Sequence, residues 1–84
     1  MNFASSDFWL RYSALPDSVR TLADEKYALF EANPRHPSLK FKRVGEYWSV
    51  RVGDHYRAVA VDVEKGLLWI WIGSHAEYDG FIRS

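Results

Sequence analysis

A chain of 84 residues has room for one core, so it reads as a single domain over 1–84, and its eleven basic and eleven acidic side chains cancel, which argues against a protein that coats nucleic acid indiscriminately. Cysteine is absent, which excludes a disulfide framework and a thiolate metal site. No apolar run approaches the roughly 18 residues of a membrane span, and the N-terminus lacks the basic-then-apolar pattern of a signal peptide. A cytoplasmic protein fits this composition, and four Trp, five Tyr and five Phe supply large buried areas to a small core.

The charge is unevenly spread. Residues 1–34 carry three basic and five acidic groups, 35–57 six and two, and 58–84 two and four, so a middle segment of +4 lies between flanks of −2 each. A local basic patch attracts phosphate even on a neutral protein, although Lys and Arg also protect exposed strand edges.

In chain order, Ser6 to Leu15 reads as a short helix capped by Ser5 or Ser6, with a strand as the alternative because Phe8, Leu10 and Tyr12 alternate. Pro16-Asp17 opens a second helix. From Asp17 to about Ala32, Val19, Leu22, Ala23, Tyr27 and Phe30 recur at three- and four-residue steps, which predicts an amphipathic helix with Tyr27 and Phe30 in the core. Asn33-Pro34 ends it, because the residue before a proline avoids helical torsions. Leu39 to Val44 alternates apolar and basic residues, as a half-exposed edge does. Tyr47–Val52 and His55–Val63 follow as strands about a Gly53-Asp54 hairpin turn. Arg51 falls on the face opposite Trp48, Val50 and Val52, a ladder centred on the turn sets it against a residue near Tyr56 or Arg57, and strands lying side by side would gather both arginines near one sheet face. After Glu64-Lys65-Gly66, Leu67–Ile72 is apolar on both faces and predicts a central strand covered by helix, ended by Gly73 and followed by a short tail over 74–81. The element order predicts an α+β fold: two N-terminal helices packed on a small antiparallel sheet of three or four strands.

Three side chains stand out. Arg51 and Arg57 flank the hairpin turn, which brings them close across about 4.8 Å of sheet. Two such guanidiniums repel unless an anion or carboxylate lies between them, and their planar forks suit phosphate oxygens. Asp54, Asp62 and Glu64 are equally available as structural partners. His75 follows the last strand and has an imidazole that can donate or accept a proton near neutral pH, although a lone loop histidine is more often incidental than catalytic. His55 and His36 can approach the same face. No histidine pair has the i, i+4 spacing of a helical metal site, so no metal or cofactor is expected, and the chain has no glycine-rich phosphate loop or serine elbow.

The segments Pro34-Arg35-His36-Pro37-Ser38-Leu39, Tyr47-Trp48-Ser49-Val50-Arg51-Val52-Gly53, Tyr56-Arg57-Ala58 and Ile72-Gly73-Ser74-His75-Ala76-Glu77-Tyr78, in that order and spacing, resemble the RelE/ParE superfamily of toxin–antitoxin modules over about residues 15–80. The resemblance implies a toxin neutralised by a cognate antitoxin. RelE-like members are mRNA interferases, often acting on the ribosome, which drive a 2′-hydroxyl onto the adjacent phosphate. ParE-like members poison DNA gyrase without nuclease activity, and a relative that merely keeps the fold is a third possibility. By position, Arg57 matches the transition-state arginine of RelE-like toxins and Arg51 a basic strand residue. His75 takes the place of a later arginine that is histidine in one branch. The resemblance further implies RNA contacts from Lys40, Lys42 and Arg43, with Tyr78 as the nearby phenol. The chain departs from the RelE pattern at Ser49, where RelE has a lysine, at Phe81, near a tyrosine position, and in its neutral net charge.

Overall fold

A computed structural model describes residues 1–83. The chain runs β1 (Asn2–Ala4), α1 (Ser6–Ser13), α2 (Asp17–Ala32), a 3₁₀ turn over Pro37–Leu39, β2 (Lys42–Val44), β3 (Tyr47–Val52), β4 (Tyr56–Val63), β5 (Gly66–Ser74) and α3 (His75–Arg83). The five strands lie in the order β1-β5-β4-β3-β2. β2 to β5 form an antiparallel meander, while β1 joins the outer edge of β5 in parallel. The α+β class matches the sequence expectation of two helices on an antiparallel sheet of three or four strands, with one helix more and with β1 added to the sheet in parallel.

Local chemistry accounts for the helices. The Ser5 hydroxyl accepts from the Phe8 N–H at 3.1 Å, satisfying one of the free donors at the start of α1 and deciding the strand-or-helix ambiguity in favour of helix. Between α1 and α2, the Arg20 guanidinium donates to the carbonyls of Ser13 and Leu15 at 3.2 and 2.5 Å and pairs with Asp17, which fixes the bend after the first helix. The Tyr12 hydroxyl donates to Asp24 at 2.6 Å and ties the two helices together.

Alternation in β3 and β4 divides the core into two layers. Val50, Val52, Ala58 and Ala60 face α2, where Phe30 meets Phe41 and Trp69 edge-on at ring separations of 5.0 and 5.4 Å. Burying a side chain such as that of Phe30 contributes about 1.5–3 kcal/mol. Tyr27, expected in this layer, instead remains 41% exposed and donates its hydroxyl to Glu31, because the apolar stripe of the helix is narrow and Phe30 fills the contact. On the other sheet face Val59, Trp71 and Tyr78 form a second buried cluster, flanked by Tyr47, Phe81 and Ile82.

An irregularity in β5 lets its two tryptophans serve different layers. Val59 pairs with Trp71, but the next residue, Ala60, pairs with Trp69, which leaves Ile70 as an extra residue. Residues two apart on a regular strand share a face; the bulge at Ile70 breaks that rule. Trp69 therefore packs toward α2 and Trp71 toward α3. The sequence expectation of helix on at least one side of this strand becomes helix on both.

α3 was read from sequence as a tail. It begins with a reciprocal cap: the Ser74 hydroxyl accepts from the Glu77 N–H at 3.2 Å, and the Glu77 carboxylate accepts from both the N–H and the hydroxyl of Ser74 at 3.1 Å. Among the described residues no helix is long and apolar enough to cross a membrane.

Candidate functional site

Strand register places the two arginines. Arg51 is the direct partner of Arg57, and Arg57 is in turn the partner of Gly73, so the three residues form one row across β3, β4 and β5. The row lies on the sheet face that α3 covers further along, where Val59 and Trp71 are buried. One step toward the turn, Tyr56 pairs with Ser74, and the His75 N–H donates to the His55 carbonyl at 2.7 Å. His75 is thus the first residue of α3 and abuts the hairpin that carries both arginines.

Gly53 makes this hairpin possible. Its φ of +68° lies in the left-handed region, and a Cβ there would come within 2.5 Å of a Leu22 methyl. Gly73 serves a different need, since a Cβ would lie 2.7 Å from the Trp71 indole. The absent side chain lets the indole lie against the backbone beside the arginine row.

The charges in the row are unequally satisfied. Arg51 donates from Nε to the Gly53 carbonyl at 3.0 Å and from Nη2 to Asp54 at 2.5 Å, so the turn supplies its counter-charge. Arg57 donates from Nη1 to the Tyr56 carbonyl at 3.0 Å, and among the described residues it forms no ion pair. The half-exposed His75 ring has Nδ1 3.6 Å from the Asp79 carboxylate, one turn along α3. The cap above it holds the Glu77 carboxyl below the usual glutamate range, chiefly through the Ser74 backbone N–H and then its hydroxyl. A phosphate at the row would therefore meet one guanidinium with no carboxylate partner, a second already shared with Asp54, and an imidazole alongside.

The remaining residues expected at the site separate. Lys42 pairs with Ser49 in register and belongs to the face of Arg51 and Arg57. Arg43, its neighbour, pairs with Trp48 and lies on the opposite face, as strand alternation requires. There its guanidinium sits 5.1 Å over the Trp48 ring and forms an ion pair with Asp62, whose carboxyl is lowered first by that contact and then by the Trp48 indole N–H at 3.0 Å. Lys40 ends the 3₁₀ turn, exposed and with φ +45°. Tyr78 is 8% exposed and packs with Val59 and Trp71, so its ring belongs to the core beneath α3. Ser49 on the same face is 2% exposed. Among the described residues no cluster of three or more His, Asp or Glu side chains could hold a metal ion.

Sequence reasoning left the partner of Arg51 open among Asp54, Asp62 and Glu64, and missed two further features. Asp54 as the partner of Arg51 follows from their i, i+3 spacing across the turn. The Ser74-x-x-Glu77 pattern is a recognisable helix start. The pairing of His55 with His75 was not legible, because it depends on β5 running two residues past its apolar stretch.

Comparison with known proteins agrees with this architecture. YafQ from E. coli strain BL21(DE3) superposes with a TM-score of 0.73 at 15% identity, over 93% of this chain and 96% of that one. A chain of the RelB–RelE antitoxin–toxin complex from Methanococcus jannaschii gives 0.72 at 12% identity, covering 94% and 96%. The YoeB/ParE toxin from Agrobacterium tumefaciens gives 0.68 at 17% identity, covering 88% and 96%. No curated protein sequence matches the chain. The family model described as a ParE-like toxin domain matches residues 17–80, from the start of α2 into α3 and so across the arginine row and His75. The chain belongs to the ParE-like toxin domain family and has the fold of the RelE/ParE-type toxins of toxin–antitoxin systems.

Proposed function

We propose that this protein is a cytoplasmic toxin that cleaves messenger RNA, on the ribosome or free, and that a cognate antitoxin neutralises it by covering the arginine face. The carrying observation is the register that sets Arg51 opposite Arg57 and ends β5 in a helix whose first residue is His75. Arg57, which forms no ion pair among the described residues, holds the scissile phosphate. Arg51 shares its charge between that phosphate and Asp54. His75 transfers a proton as the 2′-oxygen attacks phosphorus. Positioned positive charge of this kind is worth a few kcal/mol in the transition state, and a positioned proton-transfer group about 10²–10⁴-fold in rate. The chemistry is metal-independent. Lys42 contacts a neighbouring backbone phosphate from the same face, with strong salt dependence and little sequence preference.

Induced expression in cells without an antitoxin tests this reading. Wild type should arrest growth and leave new mRNA ends, while Arg57→Ala and His75→Ala should relieve both effects. Equal toxicity of all three proteins would remove it. The Arg51–Asp54 pair and the neutral total charge favour a second reading, a non-nuclease toxin that binds a protein such as DNA gyrase. That reading predicts a DNA-damage response with intact mRNA.

A further inference from the structure

The reaction needs two proton transfers, one from the 2′-hydroxyl and one to the 5′-oxygen, and His75 alone accounts for one. The chain has three histidines. His36 is committed to its own turn, with Nδ1 accepting from the Ser38 N–H at 3.2 Å and meeting the Ser38 hydroxyl at 2.9 Å. His55 is different: it is exposed, and its ring has no hydrogen-bond partner among the described residues.

A backbone bond brings His55 to the site. Arg57 pairs with Gly73 and Tyr56 with Ser74, and just past this last ladder pair the His75 N–H donates to the His55 carbonyl at 2.7 Å, joining the turn to the start of α3. The backbone bond holds the exposed His55 of the turn beside the exposed first residue of α3, one step beyond the row of Arg51, Arg57 and Gly73. We infer that His55 is the second proton-transfer group, the base for the 2′-hydroxyl, while His75 is the acid for the leaving oxygen; this rests on the ribonuclease reading above.

The step balances without a further reagent. An imidazole nitrogen of His55 takes the 2′-hydroxyl proton as the 2′-oxygen bonds to phosphorus. The bond from phosphorus to the 5′-oxygen breaks, and His75 protonates that oxygen, leaving a 2′,3′-cyclic phosphate and a 5′-hydroxyl. Asp79 engages His75 at Nδ1 and leaves Nε2 to face the leaving group. Charged groups on the surrounding elements include Arg51, Asp54 and Arg57 on the hairpin, Glu77 on α3, and Arg11 on α1, which acts on Glu77.

The test uses one messenger RNA sequence in two forms, offered free and on programmed ribosomes: the natural linkage, and one with sulfur replacing the bridging 5′-oxygen. Sulfur leaves without being protonated, so it bypasses a missing acid but not a missing base. His55→Ala and His55→Asn should both slow cleavage about 10²–10⁴-fold on either RNA, with unchanged thermal unfolding. His75→Ala should be slow on oxygen and recover on sulfur. Wild-type rates in both His55 variants, or their rescue by sulfur, would overturn the assignment. Wild-type protein that leaves both RNAs intact would remove the ribonuclease reading and this inference with it, whereas wild-type cleavage with unaffected His55 variants removes only the inference.

Discussion

The cap between Ser74 and Glu77 allows the sharpest energetic test, because it is exposed, reciprocal and adjacent to His75. Ser74→Ala removes the acceptor for the Glu77 N–H and the hydroxyl donor to the Glu77 carboxylate, leaving the carboxylate only the residue-74 N–H. Loss of a serine N-cap costs about 1 kcal/mol, which lowers the melting temperature of a domain this size by about 4–8 °C. Glu77→Ala removes the acceptor for the Ser74 N–H and hydroxyl but keeps the residue-77 N–H on Ser74; the hydroxyl-to-carboxylate bond is lost in either variant, so the double variant should lose less than the two single losses combined, with a coupling of about 0.5–1 kcal/mol. The pH dependence has a fixed sign. The folded Glu77 carboxyl titrates below its unfolded value, so its contribution is fully present above the ordinary glutamate range and is lost as pH falls through the lowered folded value. The gap between wild type and Glu77→Ala in urea melts should therefore be constant near neutrality and close at acid pH. Strictly additive single losses, or a gap that widens on acidification, would refute the reciprocal cap and with it the account of how α3 begins.

Other perturbations separate the two sheet faces and the two arginines. Gly73→Ala forces a methyl against the buried Trp71 indole, and overpacking of this kind costs about 1–3 kcal/mol in urea melts; unchanged stability would show that the ring does not lie over Gly73. Asp54→Asn frees the Arg51 guanidinium and should tighten binding to a short RNA at low salt while steepening the salt dependence, whereas unchanged affinity would mean that Asp54 does not compete with phosphate. Lys42→Ala should reduce the salt slope of RNA binding by about one, while Arg43→Ala, on the opposite face and paired with Asp62, should leave it unchanged. Equal effects of these two variants would place the RNA elsewhere.

What was legible in the sequence followed from periodicity and turn chemistry acting over a few residues. The steps of Val19, Leu22, Ala23 and Phe30 mark α2, and the alternation around Gly53-Asp54 is enough to bring Arg51 near Arg57. The features that escaped are those in which a distant partner decides. β1 is three residues long with no pattern of its own, and it is a strand only because β5 offers a free edge, with the Leu67 N–H donating to Met1 and the Ser5 N–H to the Trp69 carbonyl, each at 3.0 Å. The bulge at Ile70 is invisible in a run of apolar residues, yet it sends Trp69 and Trp71 to different faces and so adds the Trp71 indole to the surface on which α3 docks. Tyr78, the nearby phenol that the resemblance assigns to RNA, is core instead, because residues 75–83 form a helix that buries it rather than a tail. Lys40, Lys42 and Arg43 looked like one basic cluster because charge was counted along the chain, whereas a strand sorts charge by parity. That sorting turns Arg43 toward Trp48 and Asp62 and leaves Lys42 on the arginine face, where sequence position alone made the two equivalent.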